Sequence, residues 1–250
     1  MSPPLNAFCL MPAENGPHMA FMTGVLGLRP KRSEESFVAF DTTGVVVCLW
    51  ESGHVCRHLG WRENTVADPA ATTLLTLRLP GPDALATALA AARAQGLSPL
   101  VQADGVLLRD RAATWWHLVE GPADGGMAVP AVTFLAADAA ASGDFLHRMG
   151  FARTAAGFQA GNGVALAVQA REAFAPEAAL HRRAADGPVA MPAIGCRTLA
   201  EVSAHTAWLE AAGLKVGVPG RMHEWGFQAA YLSDPSHNLW EIYATERTDV

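Results

Sequence analysis

No stretch of this chain approaches the run of about 20 apolar residues that crosses a bilayer as a helix. Its opening residues, Met1-Ser-Pro-Pro-Leu-Asn6, set no basic region ahead of an apolar one, which predicts a chain without a secretory signal. Charge is scarce, at 17% of residues, and the balance is −6 with His neutral. No basic stripe stands out, which disfavours nucleic acid as the main partner. The short basic clusters Arg29-Pro-Lys-Arg32 and His181-Arg-Arg183 read as solvated turns. Cysteine is limited to positions 9, 48, 56 and 196 without Cys-x-x-Cys pairing, so free thiols in a reducing cytoplasm are expected. A nucleophile elbow, a Walker loop, a dinucleotide glycine motif and a His-Glu-x-x-His helix are all missing. Gly161-Asn-Gly163 is a hairpin turn signal, not a phosphate loop. What the chain has is apolar bulk: half of its 250 residues are hydrophobic, enough for a dense core in one large or two ordinary domains.

The most informative stretch is Tyr231-Leu-Ser-Asp-Pro-Ser-His-Asn-Leu-Trp-Glu-Ile-Tyr243. It reads strand, tight turn, strand, with Asp234 to Asn238 supplying the turn chemistry. On the exit strand Leu239, Glu241 and Tyr243 share one face, and Trp240 and Ile242 the other. A carboxylate on an apolar face is costly without a cation, a metal or a donor. Glu241 therefore either looks into a functional cavity or is structurally paired.

An internal repeat organises the rest. A first kind of unit is an apolar strand, a short helix ending near Gly, then strands rich in Gly and Val. It covers Asn6–Met11, Phe21–Gly27, Ser36–Phe40 and Gly44–Trp50, and recurs at Ala131–Leu135, Asp144–Gly150, Gly157–Ala160 and Gly163–Val168. The second kind is a strand, a longer Ala/Leu helix and a hairpin. It covers Thr73–Leu79, Asp83–Gln95, Gly105–Asp110 and Thr114–Val119, and recurs at Ala193–Arg197, Leu199–Ala212, Phe227–Leu232 and Asn238–Tyr243. Ala84, Leu85, Ala88, Leu89 and Ala92 fall at helical spacing, with Asp83 as candidate N-cap and Gly96 past the end. Val202, His205, Trp208, Leu209 and Ala212 repeat that stripe before Gly213. Linkers lie at 57–68, 121–126 and 170–187.

Four βαβββ units alternating in this way resemble the vicinal oxygen chelate superfamily, which includes glyoxalase I, bleomycin-resistance proteins, fosfomycin-resistance enzymes and extradiol dioxygenases. The motifs that carry the resemblance are Phe21–Leu28 and Phe145–Phe151 at the short helices, and Asp234–Ile242 at the closing hairpin. His237 stands there where that family usually has Gly. The segment Trp225–Asp234 resembles the strand before the hairpin. The resemblance implies an α+β fold in which four βαβββ modules pair into two cupped, mixed-sheet half-barrel domains. These are expected at 1–122 (modules 1–60 and 70–122) and 128–250 (modules 128–172 and 188–250). A swapped pairing, module one with four and two with three, is the alternative that the superfamily also uses.

The superfamily's metal site takes one residue from the first strand and one from the last strand of each unit, typically His, Glu or Gln. A divalent ion needs about three such ligands with positions left open for substrate. Here the first-strand positions fall near Ala7, Thr73 or Leu74, Ala131 and Ala193, and the last-strand positions on Cys48, His117, Ala167 and Glu241. No His stands in any of the four first strands, so no metal ligands are assigned and no cofactor is expected, a remodelled divalent site being the residual reading.

The implied function is a metal-independent small-molecule-binding protein that holds an aromatic or apolar metabolite or antibiotic in a cup. Trp50, Cys48, Trp115 or Trp116, Trp225, Phe227 and Tyr231 are its candidate lining. The alternative is an enzyme of specialised metabolism or detoxification (a lyase, isomerase, cyclase or dioxygenase-like protein). In that reading Glu241 is acid or base, and His117 or His223 its partner. Each residue has a plainer reading: core packing for the aromatics, an inert thiol for Cys48, a half-buried hydrogen-bonded imidazole for His117. His147 and His205 sit at structural helix positions, and His54 and His58 follow Trp50 where the related fold places a loop over the cavity. The partner expected is a small molecule, with no nucleic acid or membrane, for a cytoplasmic monomer or homodimer.

Overall fold

In the exit strand of the closing hairpin, successive side chains enter two different apolar environments. Trp240, Ile242 and Ala244 join one buried cluster, and Leu239 and Tyr243 another. A strand buried on both faces explains why this stretch lacks a polar face in the sequence. The computed structural model describes residues 2–60, 73–110, 114–174, 190–222 and 227–245, without the side chains of 219–222.

Four βαβββ modules follow one another. The first contains β1 (Ala7–Leu10), α1 (Asn15–Gly24), β2 (Pro30–Ser33), β3 (Phe37–Phe40) and β4 (Val46–Trp50), and is followed by α2 (Ser52–Leu59). The second contains β5 (Thr73–Pro80), α3 (Gly81–Ala94), β6 (Leu100–Gln102), β7 (Gly105–Arg109) and β8 (Trp115–Gly121). The third contains β9 (Ala128–Ala136), α4 (Ala139–Arg148), β10 (Ala152–Thr154), β11 (Gly157–Gln159) and β12 (Ala165–Ala170), and ends in a single 3-10 turn, Arg171–Ala173. The fourth contains β13 (Ala190–Gly195), α5 (Leu199–Ala211), β14 (Val218–Met222), β15 (Phe227–Ser233) and β16 (Leu239–Thr245).

Two local expectations are corrected. The basic cluster 29–32 enters the fully exposed edge strand β2 instead of a turn. Solvation on both faces erased the alternation that marks a strand. Helix α3 starts ahead of Asp83: Gly81, at φ +74°, turns the chain, and Pro82 presets the first turn. Asp83 instead lends its carbonyl to the Thr87 hydroxyl at 2.8 Å. By contrast α5 carries a reciprocal cap. Thr198 Oγ1 accepts the Glu201 N–H at 3.2 Å, and the Glu201 carboxylate accepts the Arg197 N–H at 2.8 Å.

The described residues form two eight-stranded sheets, ordered β14-β15-β16-β13-β1-β4-β3-β2 and β10-β11-β12-β9-β5-β8-β7-β6. The first strands join the modules: β1 runs antiparallel to β13, and β5 antiparallel to β9. Module one therefore shares a sheet with module four, and two with three. The cups are not the contiguous halves 1–122 and 128–250; the swapped alternative is the one adopted. Each half still coheres through its helices, because α1 packs Phe21 on Trp116 of β8 at 6.0 Å, and α4 packs Phe145 on Trp240 of β16 at 5.8 Å. One large apolar core thus lies between the two sheets, holding Phe8, Trp116, Phe134 and Trp240. Further links are the Thr43–Ala128 bridge and the Asn162 amide, which donates to Leu5 O at 2.8 Å and Gly44 O at 3.0 Å. Among the described residues no helix is long and apolar enough to cross a membrane.

The closing hairpins of modules two and four use the same device. Buried Asp234 accepts from Ser236 N at 2.8 Å, Asn238 N at 2.9 Å, Asn238 Nδ2 at 2.7 Å and the Trp240 indole at 3.2 Å. Asp110 accepts from Thr114 N at 2.8 Å and from the Trp116 indole at 3.4 Å. Both aspartates stand six residues before the tryptophan they hold, so each turn is tied to the central core. His237 has φ +64°, a left-handed conformation unusual for a residue with a side chain and natural for Gly.

Candidate functional site

Because the core-facing residues of each strand are committed to the inter-sheet core, the alternate residues define the cup faces. On the sheet of modules one and four this face gathers Cys9, Met11, Cys48, Trp50, Met191, Tyr231 and Leu239, with Phe37, Phe227 and Tyr243 packed at its margin. Helix α2 lies over it with Val55 and Leu59 in the same cluster, so the segment that carries His54 and His58 covers the cup as a helix, not a loop. Trp50 meets Phe37 edge-on at 5.8 Å, with the His54 and His58 rings at 6.4 and 6.1 Å.

Glu241 stands on this face and is 7% exposed. Its hydrogen-bond partner among the described residues is Tyr231, whose hydroxyl donates to Oε1 at 2.8 Å. Tyr231 lies directly opposite on the neighbouring strand, so the pairing follows from strand register. Burial drives the Glu241 carboxyl up to about 7, against a smaller downward pull from the Tyr231 hydroxyl. Burial likewise raises the Tyr243 phenol, with the Glu241 charge adding to it. The Cys9 thiol is held protonated by Cys48 beside it, then by burial, and least by the Glu241 charge. Cys9 and Cys48 are register partners on β1 and β4. Cys9 was not singled out from the sequence, since its significance depends on which strand lies next to it.

The sheet of modules two and three presents a different cup. Leu74, Leu107, Trp115, Leu135 and Phe174 form its apolar cluster. His117 faces it, half-buried, with Nε2 at 3.5 Å from the exposed Asp104 carboxylate. His117 is therefore no partner for Glu241, since β8 and β16 belong to different sheets. Trp116 is corrected as a lining residue. Alternation along β8 turns it into the inter-sheet core, where it is fully buried on Phe21, and places Trp115 on the cup face. His223 and Trp225 lie outside the described residues. Cys48, Trp50, Phe227, Tyr231 and Glu241 do come together.

The metal positions implied by the resemblance have a poor donor set. In the cup of modules one and four they hold Cys48 and Glu241 on the last strands and Ala7 and Ala193 on the first. In the other cup they hold His117 and Ala167, with Ala131 and Thr73 or Leu74 on the first strands. Among the described residues no three His, Cys, Asp or Glu side chains converge where they could hold a metal ion. Two donors at most per cup do not fit a divalent ion that takes about three protein ligands.

No protein-family model matches this chain, and no curated protein does. Solved structures do. Glyoxalase I from Zea mays is similar at a TM-score of 0.62 and 12% identity, over 97% of this chain and 92% of that one. A presumed dioxygenase from Bacillus subtilis is similar at a TM-score of 0.64 and 14% identity, over 98% of this chain and 86% of that one. At such identities the likeness concerns the fold, and it extends over the full four-module arrangement.

Proposed function

We propose that this protein, which has the vicinal oxygen chelate fold, binds a small aromatic or apolar molecule in the cup shared by its first and fourth modules, without a resident metal. The observation that carries this reading is Glu241. A carboxyl is buried in an apolar hollow, with a tyrosine hydroxyl as its hydrogen-bond partner and a titration point raised to about 7. Structural carboxylates in cores usually gather several donors, as Asp234 does here with four. Glu241 retains capacity for a ligand's donor or acceptor, and Trp50 and Phe37 supply aromatic surface on the same cup face.

The test is quenching of tryptophan fluorescence by a panel of flat aromatic molecules. Saturable binding is expected, weakened about ten-fold or more by Glu241→Gln on the scale of one hydrogen bond to a charged group. Trp50→Ala weakens it further. Binding indifferent to both substitutions refutes the reading.

The same carboxyl favours a second reading. Near neutral pH it exists in both protonation states, the condition for general acid–base catalysis. Glu241 then takes a proton from the bound molecule and returns it at another atom, while the Tyr231 hydroxyl fixes the orientation of the carboxyl. In that case Glu241→Gln lowers kcat by about 10²–10⁴-fold and leaves KM nearly unchanged.

A further inference from the structure

The second cup differs from the first in charge. One register row runs across it from Arg109 on β7 through Trp115, Leu74 and Thr133 to Ala167 on β12. The next row holds Leu107, His117, Thr76, Ala131 and Ala165. Neither row contains a carboxylate; Asp104 sits exposed at the rim, 3.5 Å from His117. In the first cup the corresponding face carries Glu241, two thiols and two tyrosines, and the cation in register at its edge, Arg32 opposite Ala39, is exposed and paired with Glu34.

Trp115 is the key residue. It is 4% exposed, and its indole Nε1 is fully buried with no hydrogen-bond partner among the described residues. A buried donor left unpaired is costly and uncommon, and the equivalent donors of Trp116 and Trp240 are both satisfied by aspartates. The Trp115 ring is also enclosed as an aromatic site. Phe174 meets it edge-on at 5.4 Å, and the Arg109 guanidinium lies 5.9 Å from its ring centre. Arg171 and Glu172 open the 3-10 turn that leads to Phe174, so the turn itself adds no net charge over the cup. An orphan N–H, an arginine beside it and apolar walls are complementary to an oxyanion on a flat apolar body.

We infer that the cup of modules two and three is a second ligand site, distinct from that of Glu241, and takes an aromatic carboxylate or a similar flat organic anion. Its oxyanion accepts the Trp115 indole N–H and pairs with Arg109, and its ring lies against Leu74, Leu107 and Phe174. The site is independent of the ligand proposed for the first cup.

The experiment uses the full chain, with 2-naphthoate as probe and 2-naphthalenemethanol as its neutral counterpart. Calorimetry measures affinity, and ¹H–¹⁵N spectra follow the indole resonances, that of Trp115 being identified by its loss in Trp115→Phe. Naphthoate is expected to bind at least about ten-fold more tightly than the alcohol, the scale of one charge-assisted contact. Arg109→Gln abolishes that preference, Arg109→Lys retains part of it, and the Trp115 indole resonance moves on binding. Glu241→Gln leaves the naphthoate concentration that half-shifts the Trp115 resonance unchanged, which separates this site from the first. Equal affinity for the two probes, no binding of naphthoate, an unmoved Trp115 resonance, or a preference that survives Arg109→Gln would each overturn the inference.

Discussion

Replacing Glu241 with Gln removes one titrating group and little else. Gln keeps the shape, and its amide oxygen still accepts the Tyr231 hydroxyl that reaches Oε1 at 2.8 Å. The folded-state carboxyl titrates at about 7, against an ordinary value of 4.5, with burial as the main cause. Between those values the unfolded chain has released the proton and the folded protein still holds it. Rising pH therefore favours unfolding across that window, and above about 7 the loss is complete. The 2.5-unit difference corresponds to roughly 3 kcal/mol at 1.36 kcal/mol per unit. Wild-type stability carries this term, and Glu241→Gln does not. The difference in unfolding free energy, variant minus wild type, is thus expected to rise by roughly 3 kcal/mol between pH 4.5 and pH 8. Urea unfolding of both proteins across that range measures it, and groups that titrate alike in the two cancel. Parallel pH profiles would refute the argument, since they would mean that Glu241 is solvated or charge-paired in the folded protein.

Other consequences are checked more simply. Asp234→Ala strands the amide and indole donors of the closing turn, and a loss of about 3 kcal/mol or more is expected by urea unfolding; Asp110→Ala acts in the same direction on the other hairpin with fewer bonds lost. His237→Gly relieves a left-handed residue and is expected to stabilise by roughly 0.5–1 kcal/mol, with ligand binding unchanged. Residues 1–125 expressed alone leave β1 without β13 and β5 without β9, so size-exclusion chromatography is expected to show self-association or aggregation instead of a stable monomer. A well-folded monomeric half would contradict the strand order.

Much of the fold was legible in the residues. The helix over 199–211, the glycine stops at Gly96 and Gly213, and the hairpin built on Asp234 are local devices, written in short-range patterns. The exposed edge strands β2, β6 and β10 were harder to read, because a strand solvated on both faces shows no alternation. The candidate site was half legible. Glu241 declared itself by standing between apolar neighbours on one face, and Tyr231 faced it across a two-strand hairpin whose register the turn sets. Trp115 and Trp116 were harder to separate, since adjacent tryptophans exchange faces if the strand is displaced by one residue.

Local sequence alone thus determined the fourfold strand–helix–hairpin recurrence, the glycine stops after α3 and α5 and the closing turn on Asp234, because each depends on residues within a few positions of one another. Only the tertiary structure decided that β1 meets β13 and β5 meets β9, which brings Cys9 and Cys48 beside Glu241 and leaves His117 in the other cup. The physical reason is that β1, β5, β9 and β13 are all largely apolar, with backbone groups that pair equally well with any partner. What separates one pairing from another is the packing of the whole inter-sheet core, which no single strand encodes.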